Sequence, residues 1–309
     1  MSCPTVTFSV YTPTYNRAHT LHRTYDSLKQ QTFRDFEWLI VDDGSTDGTA
    51  ELVKTWQREN LVPIRYFQRP HLGAHVAHNF GVGQARGELL TKLDSDDACI
   101  PEALEAMRRA WLSIPQEQRE SFAGVTVLCK DEKGALVGDR FPQSPLDCSS
   151  QELEYKYRVK GEKWGCVRTD ILRGLPFPED IPGNFIPESY IWSQIGRQYQ
   201  TRHVNEVLRI YWTDAPSLVH GRPNPFTNAV GHRLMFLAVL NNEMSWFAKA
   251  PLRLFRAAAQ FARFGWLSGM RLGAQNRALS GWKQRLLWLA ALPAAQLMVW
   301  RDQRRQSIV

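Results

Sequence analysis

Residues 36–60 read FEWLIVDDGSTDGTAELVKTWQREN. The opening is a short β-rich run that stops at two acids, Asp42 and Asp43. Capping residue types come next, and then Ala50, Val53 and Trp56 recur at helical spacing. A strand, a polar turn and a helix therefore sit side by side. The same grammar repeats on both sides. VTFSVYT (6–12) is a strand before a helix over about 18–31, IRYFQR (64–69) a strand before a helix over 74–87, and ELLTKLD (88–94) a fourth strand. Alternation of this kind with short links predicts a mostly parallel sheet covered by helices. Ligands of such sheets bind outside the carboxyl ends of the strands. The polar clusters TPTYNR, DDGSTD and DSDD all fall at strand ends, so they are expected to converge on one crevice.

Beyond Pro101 the pattern predicts a helix to about Ser113 and a hairpin over 124–138 around Lys133-Gly134. Residues 149–215 are aromatic and proline-punctuated, and from about Pro225 the chain reads as helical. The expected architecture is an α/β domain over 1–222, with a nucleotide-binding half (1–110) and an acceptor half (111–222). A helical extension over 223–309 completes it.

Composition narrows the classes further. With 43% hydrophobic and 22% charged residues among 309, the chain is that of an ordinary globular protein. Five cysteines form no CxxC pair, which argues against a disulfide framework or a cysteine zinc site. MSCPTVTFSV lacks the features of a signal peptide, so the catalytic part is expected to face the cytoplasm. The formal charge of +7 is misleading. Residues 251–309 hold ten Arg and Lys against one acid, Asp302, so the rest of the chain is slightly acidic. A nucleic-acid partner is not expected.

The stretch LLTKLDSDDACIPE (89–102) places Asp94, Asp96 and Asp97 directly after an apolar run. Helix capping accounts for one acid, Asp97, ahead of Pro101. Three like charges so close repel, and a divalent cation with hard oxygen ligands relieves that repulsion. Mg²⁺ or Mn²⁺ is the expected cofactor. The glycines of GVGQARG (81–87) end a helix instead of joining a strand to one, which rules out a dinucleotide fingerprint. TPTYNRAH has neither the glycines nor the lysine of a nucleotidyltransferase phosphate loop.

Together, SVYTPTYNRAHTLHRTYDSLKQQTFRDFEWLIVDDGSTDGT and GAHVAHNFGVGQARGELLTKLDSDD closely resemble the family 2 glycosyltransferases of GT-A fold. The resemblance covers roughly residues 5–110 and continues more weakly beyond. It implies an inverting enzyme that moves a sugar from a nucleoside diphosphate donor, UDP foremost, to a hydroxyl of a glycan or lipid-linked acceptor. It also implies roles for particular residues. Thr12, Pro13 and Tyr15 would line the base pocket, and Asp42 or Asp43 would accept a hydrogen bond from the base. Asp94 would hold the ribose and Asp96 the metal. Gly73, Asn79 and Gly81 match the family's G…RN.G segment, with His78 where arginine is common.

The family's base lies in a Glu-Asp pair at a helix start. In FIPESYIW, Glu188 matches the first acid and Ser189 replaces the second. A helix dipole there would favour the ionised carboxylate. Glu179 and Asp180 are the alternatives, and without a base the chain would be a non-catalytic nucleotide-sugar-binding relative. His220 stands where some GT-A enzymes supply a late metal ligand, and Arg222 would reach the diphosphate. Trp164 and Trp192 suit either a sugar-facing wall or core packing.

In LRLFRAAAQFARFGWL (252–267), Arg253, Arg256, Gln260 and Arg263 share one helical face. LLWLAALPAAQLMVW (286–300) is apolar, interrupted by Pro293 and flanked by cations. Both features predict contact with the cytoplasmic membrane surface through residues 250–305, without spanning it. The chain would then be peripheral on the inner face of the cell membrane.

Overall fold

The computed structural model describes residues 5–214 and 225–306. The chain divides into two compact units, Met1–Pro176 with Gln198–Ser217, and Phe177–Arg197 with Leu218–Val309.

The first unit opens with three strand–helix repeats and a fourth strand: β1 (Val6–Thr14), α1 (Leu21–Lys29), β2 (Phe36–Asp42), α2 (Thr49–Glu59), β3 (Ile64–Gln68), α3 (Ala74–Gln84) and β4 (Gly87–Lys92), then β5 (Ala98–Cys99) and α4 (Ala103–Leu112). It continues through β6 (Phe122–Asp131), β7 (Leu146–Cys148), α5 (Ser150–Tyr155), β8 (Lys163–Arg168), α6 (Thr169–Arg173) and β9 (Gln200–Tyr211). One sheet runs β3-β2-β1-β4-β8-β6-β9-β5, with β7 also on β9. Strands β3, β2, β1 and β4 are parallel throughout. The next strand, β8, is antiparallel to both β4 and β6.

Strand β1 is the pivot. The chain proceeds from it to β2 and β3 on one side, then crosses to β4 on the other. Such a switch leaves a crevice at the carboxyl ends of the two strands where the order reverses. The β2 strand is buried along its whole length, as a central strand covered on both faces should be. Its Trp38 lies stacked among Tyr25 of α1 and Trp56 of α2, in a core that extends to Met107 and Trp111 of α4.

Helix α2 begins at Thr49, after the capping-type residues, where Asp47 turns back and accepts hydrogen bonds from Thr49 N (3.0 Å) and its hydroxyl (2.5 Å). One predicted element differs. The hairpin over 124–138 is reduced to a tight turn, where Asp131 accepts from Lys133 N and Ala135 N, and a single bridge, Lys130 to Leu136. Strand β6 already has β8 on one side and β9 on the other, so the returning segment finds no open edge along most of it.

The second unit contains α7 (Ser189–Gln198), α8 (Ala229–Glu243), α9 (Pro251–Leu267), α10 (Leu272–Ala278) and α11 (Trp282–Gln306). Its core joins Leu240 of α8, Leu254, Ala258, Phe261 and Ala262 of α9, and Trp288, Ala291 and Ala295 of α11. Helix α9 is therefore central, not a surface helix. Arg263, on the basic face read from the sequence, forms a two-pronged ion pair with Asp302 of α11 (2.6 and 2.8 Å). Pro293 does not interrupt α11, which runs through it. The ring removes one helical N–H, but Pro293 and Leu289, whose carbonyl loses that donor, are both solvent-exposed. Among the described residues no helix is long and apolar enough to cross a membrane.

Candidate active site

The loops after β1 and β2 are sewn together by Asn16. Its backbone is left-handed (φ 54°), a conformation Asn tolerates better than most residues. That turn lets its side-chain oxygen accept from Thr46 N (2.8 Å) while its own N–H donates to Ser45 Oγ (2.8 Å). Ala18 N donates to Asp47 Oδ2 (3.1 Å). The polar residues at the two strand ends are thus one structure.

Asp42 and Asp43 hold the neighbouring loops in place. Buried Asp42 accepts from Ser45 N (2.7 Å) and from the Tyr66 hydroxyl (2.5 Å), and burial together with this carboxylate keeps the Tyr66 phenol protonated. Asp43 accepts from Leu72 N (2.9 Å) and Gly73 N (3.0 Å), presenting the start of α3. Gly73 adopts φ 103°, open to glycine at little cost. His71 sits 3.0 Å from Asp43 Oδ2, and half-exposed Tyr15 stacks on its ring with centroids 4.3 Å apart. Asn79 is half-buried on α3, with His78 edge-on to Tyr11. Thr12 is wholly buried: its hydroxyl donates to Leu93 O (2.8 Å) and accepts from Trp38 Nε1 (3.0 Å), while Pro13 is partly exposed beside it. Trp164 is a core residue whose Nε1 donates to Lys92 O (2.6 Å).

The acids after β4 are not equivalent. β5 pairs with the end of β9, which delivers the guanidinium of buried Arg209 to the cluster. Arg209 Nη2 donates to Asp94 Oδ2 at 2.8 Å and Nε to Asp97 Oδ2 at 2.7 Å. Trp212 N donates to the other oxygen of Asp97 (2.9 Å). Lys92 completes Asp94, with Nζ 3.0 Å from Oδ1. Burial disfavours ionised Asp94, but Lys92 and Arg209 outweigh it and hold the group at about 2. Burial pushes Asp97 up to about 6 against the pull of Arg209, so both carboxylates are charged at neutral pH.

Asp96 is different. Its carbonyl accepts from Arg23 Nη1 (3.4 Å), but among the described residues its carboxylate has no hydrogen bond or ion pair to another side chain. Burial, and then the charge of Asp94, raise its pKa, while Arg17 and Arg209 act on it only as partial compensation. A carboxylate left in that state fits a hard cation. Among the described residues no three His, Cys, Asp or Glu converge. Of the three acids, Asp96 is the one whose carboxylate could hold a divalent cation alongside phosphate oxygens and water. His220 and Arg222 lie outside the described residues.

Around this cluster, Thr24 Oγ1 donates to Asp97 O (2.9 Å), and Arg23 pairs with Asp214 (2.6 Å) with its guanidinium over the Trp212 ring. Glu188 belongs to the second unit, where it is exposed at the start of α7 and its carbonyl accepts from Ile191 N (2.9 Å) and Trp192 N (3.1 Å). Glu179 and Asp180 are exposed in the preceding coil, and Trp192 is exposed on α7. Arg209 and His71 are site residues that the sequence patterns did not single out. The signal for Arg209 was a lone cation inside the apolar run VLRIYW (207–212).

Residues 9–133 match the model of glycosyl transferase family 2. The match covers less than half of the chain and carries the family's sequence from β1 to the turn after β6. This glycosyltransferase is 26% identical over 267 residues to the GalNAc(5)-diNAcBac-PP-undecaprenol beta-1,3-glucosyltransferase of Campylobacter jejuni, the match covering 82% of each chain. It is 32% identical over 149 residues to an uncharacterized glycosyltransferase of Rickettsia felis, but there spans only 24% of that protein and 45% of its own length. Among solved structures, S. aureus TarS 1–349 in complex with UDP-GlcNAc is similar with a TM-score of 0.61 at 20% identity, covering 93% of this chain and 79% of that one. That likeness concerns the fold: the transferase has the GT-A architecture of a central, mostly parallel sheet with flanking helices, followed by C-terminal helices.

Proposed function

We propose that this glycosyltransferase is metal-dependent and inverting, and transfers a sugar from a nucleoside diphosphate donor, UDP foremost, to a hydroxyl of a lipid-linked glycan at the cytoplasmic membrane surface. The observation that carries the proposal is the asymmetry of the acidic cluster. Asp94 and Asp97 are neutralised by Arg209 and Lys92, whereas Asp96 remains a carboxylate seeking a cation. A divalent ion held there would neutralise the charge developing on the departing diphosphate. In this reading Asp94, tied down through Lys92 and Arg209, orients the ribose with its remaining lone pairs. Tyr15 on His71 offers a flat aromatic face beside the Asp43 loop, which suits a base. Glu188 is the acceptor's general base, placed at a helix start where the dipole favours the charged form it needs. The lipid-linked acceptor is supported by the Campylobacter relative, whose substrate carries PP-undecaprenol.

The test is calorimetric titration of UDP, GDP, dTDP and CMP with Mn²⁺ and with EDTA, on wild type and Asp96→Ala. We expect one nucleotide to bind in a metal-dependent way and to lose that dependence in Asp96→Ala. Binding indifferent to EDTA would remove the metal from the proposal. Glu188→Gln is expected to bind donor normally and to lose transfer by about 10²-fold or more. If transfer survives, Glu188 is not the base.

A further inference from the structure

Helix α11 is apolar on two opposite faces. At about 100° per residue, Leu287, Trp288, Ala291 and Ala295 fall within one sector, and all four are buried against α8 and α9. Trp282, Leu286, Leu289, Pro293, Leu297 and Trp300 fall in a second sector, centred on the opposite side of the helix. The five large side chains among them are 46–66% exposed. The second stripe is therefore not core surplus. It is a continuous apolar ridge about 27 Å long by helical rise, with a tryptophan at each end.

Its charges are arranged as consistently as its apolar groups. Lys283 and Arg285 flank the first tryptophan, and Arg301 and Arg304 flank the last. The Lys283 ammonium lies over the Trp282 ring at 5.7 Å, and the Arg304 guanidinium over Trp300 at 3.9 Å. The sole acid of the helix, Asp302, is buried and already paired with Arg263. Lys283 and Arg285 also stand in the first helical turn, where no acid accompanies them and the macrodipole disfavours cations. Arg285 Nη2 donates to the Leu279 carbonyl just before the helix (3.3 Å), and among the described residues neither cation has a carboxylate partner.

Around the helix, Lys283 and Arg301 lie along one long side of the ridge and Arg285 along the other, so a helix lying flat would meet acyl chains with the ridge and anionic headgroups with its flanks. We infer that the exposed face of α11 lies in the plane of an anionic bilayer, sinking Leu286, Leu289 and Leu297 to the acyl boundary while Lys283, Arg285, Arg301 and Arg304 engage lipid phosphates. The inference rests on the membrane-surface part of the proposed function and not on its donor chemistry.

The experiment is co-sedimentation of the full chain with vesicles of phosphatidylcholine alone and of phosphatidylcholine mixed with phosphatidylglycerol, with brominated acyl chains to quench tryptophans. Binding should be at least about tenfold stronger to the anionic vesicles. It should fall to background in Leu286→Glu/Leu289→Glu and weaken in Lys283→Glu/Arg301→Glu. The quenching should shrink in Trp282→Phe and Trp300→Phe. Nucleotide titration of the same preparations separates the two readings, since it should be unchanged in every variant. No vesicle binding, equal binding to neutral lipid, or binding insensitive to Leu286→Glu/Leu289→Glu would overturn the inference. So would a concentration-dependent dimer that the same pair abolishes, because the ridge would then seat a second copy. Should the double variant fail to fold, Leu286→Gln/Leu289→Gln and the wild-type quenching pattern decide.

Discussion

Arg209 shows how one side chain sets the character of a site. Its guanidinium is buried with Asp94 and Asp97, and burial opposes its charge while those two carboxylates stabilise it more strongly. Removing one member of such a group strands the others. Arg209→Met should destabilise the fold by about 3–5 kcal/mol in urea denaturation, and Arg209→Lys should recover only part of it, because an ammonium cannot reproduce the planar fork. Asp96→Ala should behave in the opposite sense. Its charge is disfavoured by burial and by Asp94, so stability should hold or rise while metal-dependent nucleotide binding is lost. A stability loss comparable to that of Arg209→Met would show that Asp96 is tied into the fold after all.

At the level of the element, the end of α3 depends on a glycine. A Cβ built on Gly81 would lie 2.4 Å from Cε2 of Tyr11, a fully buried ring of the pivot strand β1. The helix thus reaches the sheet only because that position is bare. Gly81→Ala should cost about 1–3 kcal/mol through displacement of α3. Because α3 begins at the Asp43-bound N–H groups of Leu72 and Gly73, the same substitution should weaken nucleotide affinity in the calorimetric titration. Gly83→Ala, where a Cβ meets nothing within 4 Å, is the matched control and should leave both unchanged.

For the whole molecule, acid sensitivity should originate partly in β9. His203 is buried against Phe141 and Cys148 O, near Asp147 and Lys163, and burial lowers its pKa to about 4. An unfolded histidine titrates near 6.5, so between these values the unfolded chain binds a proton that the native one does not. Stability should therefore fall as pH drops from about 6.5 towards 4, by up to about 3 kcal/mol from this residue. Urea midpoints at pH 7.5 and 5 would measure it. His203→Leu should flatten the difference, and an unchanged slope would place the sensitivity elsewhere.

Much of this protein was determined along the chain. Strand–turn–helix periodicity is a local property, and it placed the first four strands and their helices with errors confined to the ends, as where α3 stops at Gln84, short of Gly87. The order of polar clusters at strand ends was equally legible, because sheet geometry sends every parallel strand's end to one side. What the chain could not disclose depended on residues far apart in sequence. Asp94, Asp96 and Asp97 look alike in DSDD, and only the pairing of β5 with β9 brings Arg209 across more than a hundred residues to neutralise two of them. Thr12 reads as a loop-lining residue until Trp38 and Leu93 close over it. The tail shows the same limit. Helices α9 and α11 are both apolar with scattered arginines, and composition cannot tell which face meets a neighbour. Packing decided that α9 is buried and that α11 keeps a second apolar face in solvent, because burial is a relation between elements and not a property of either one.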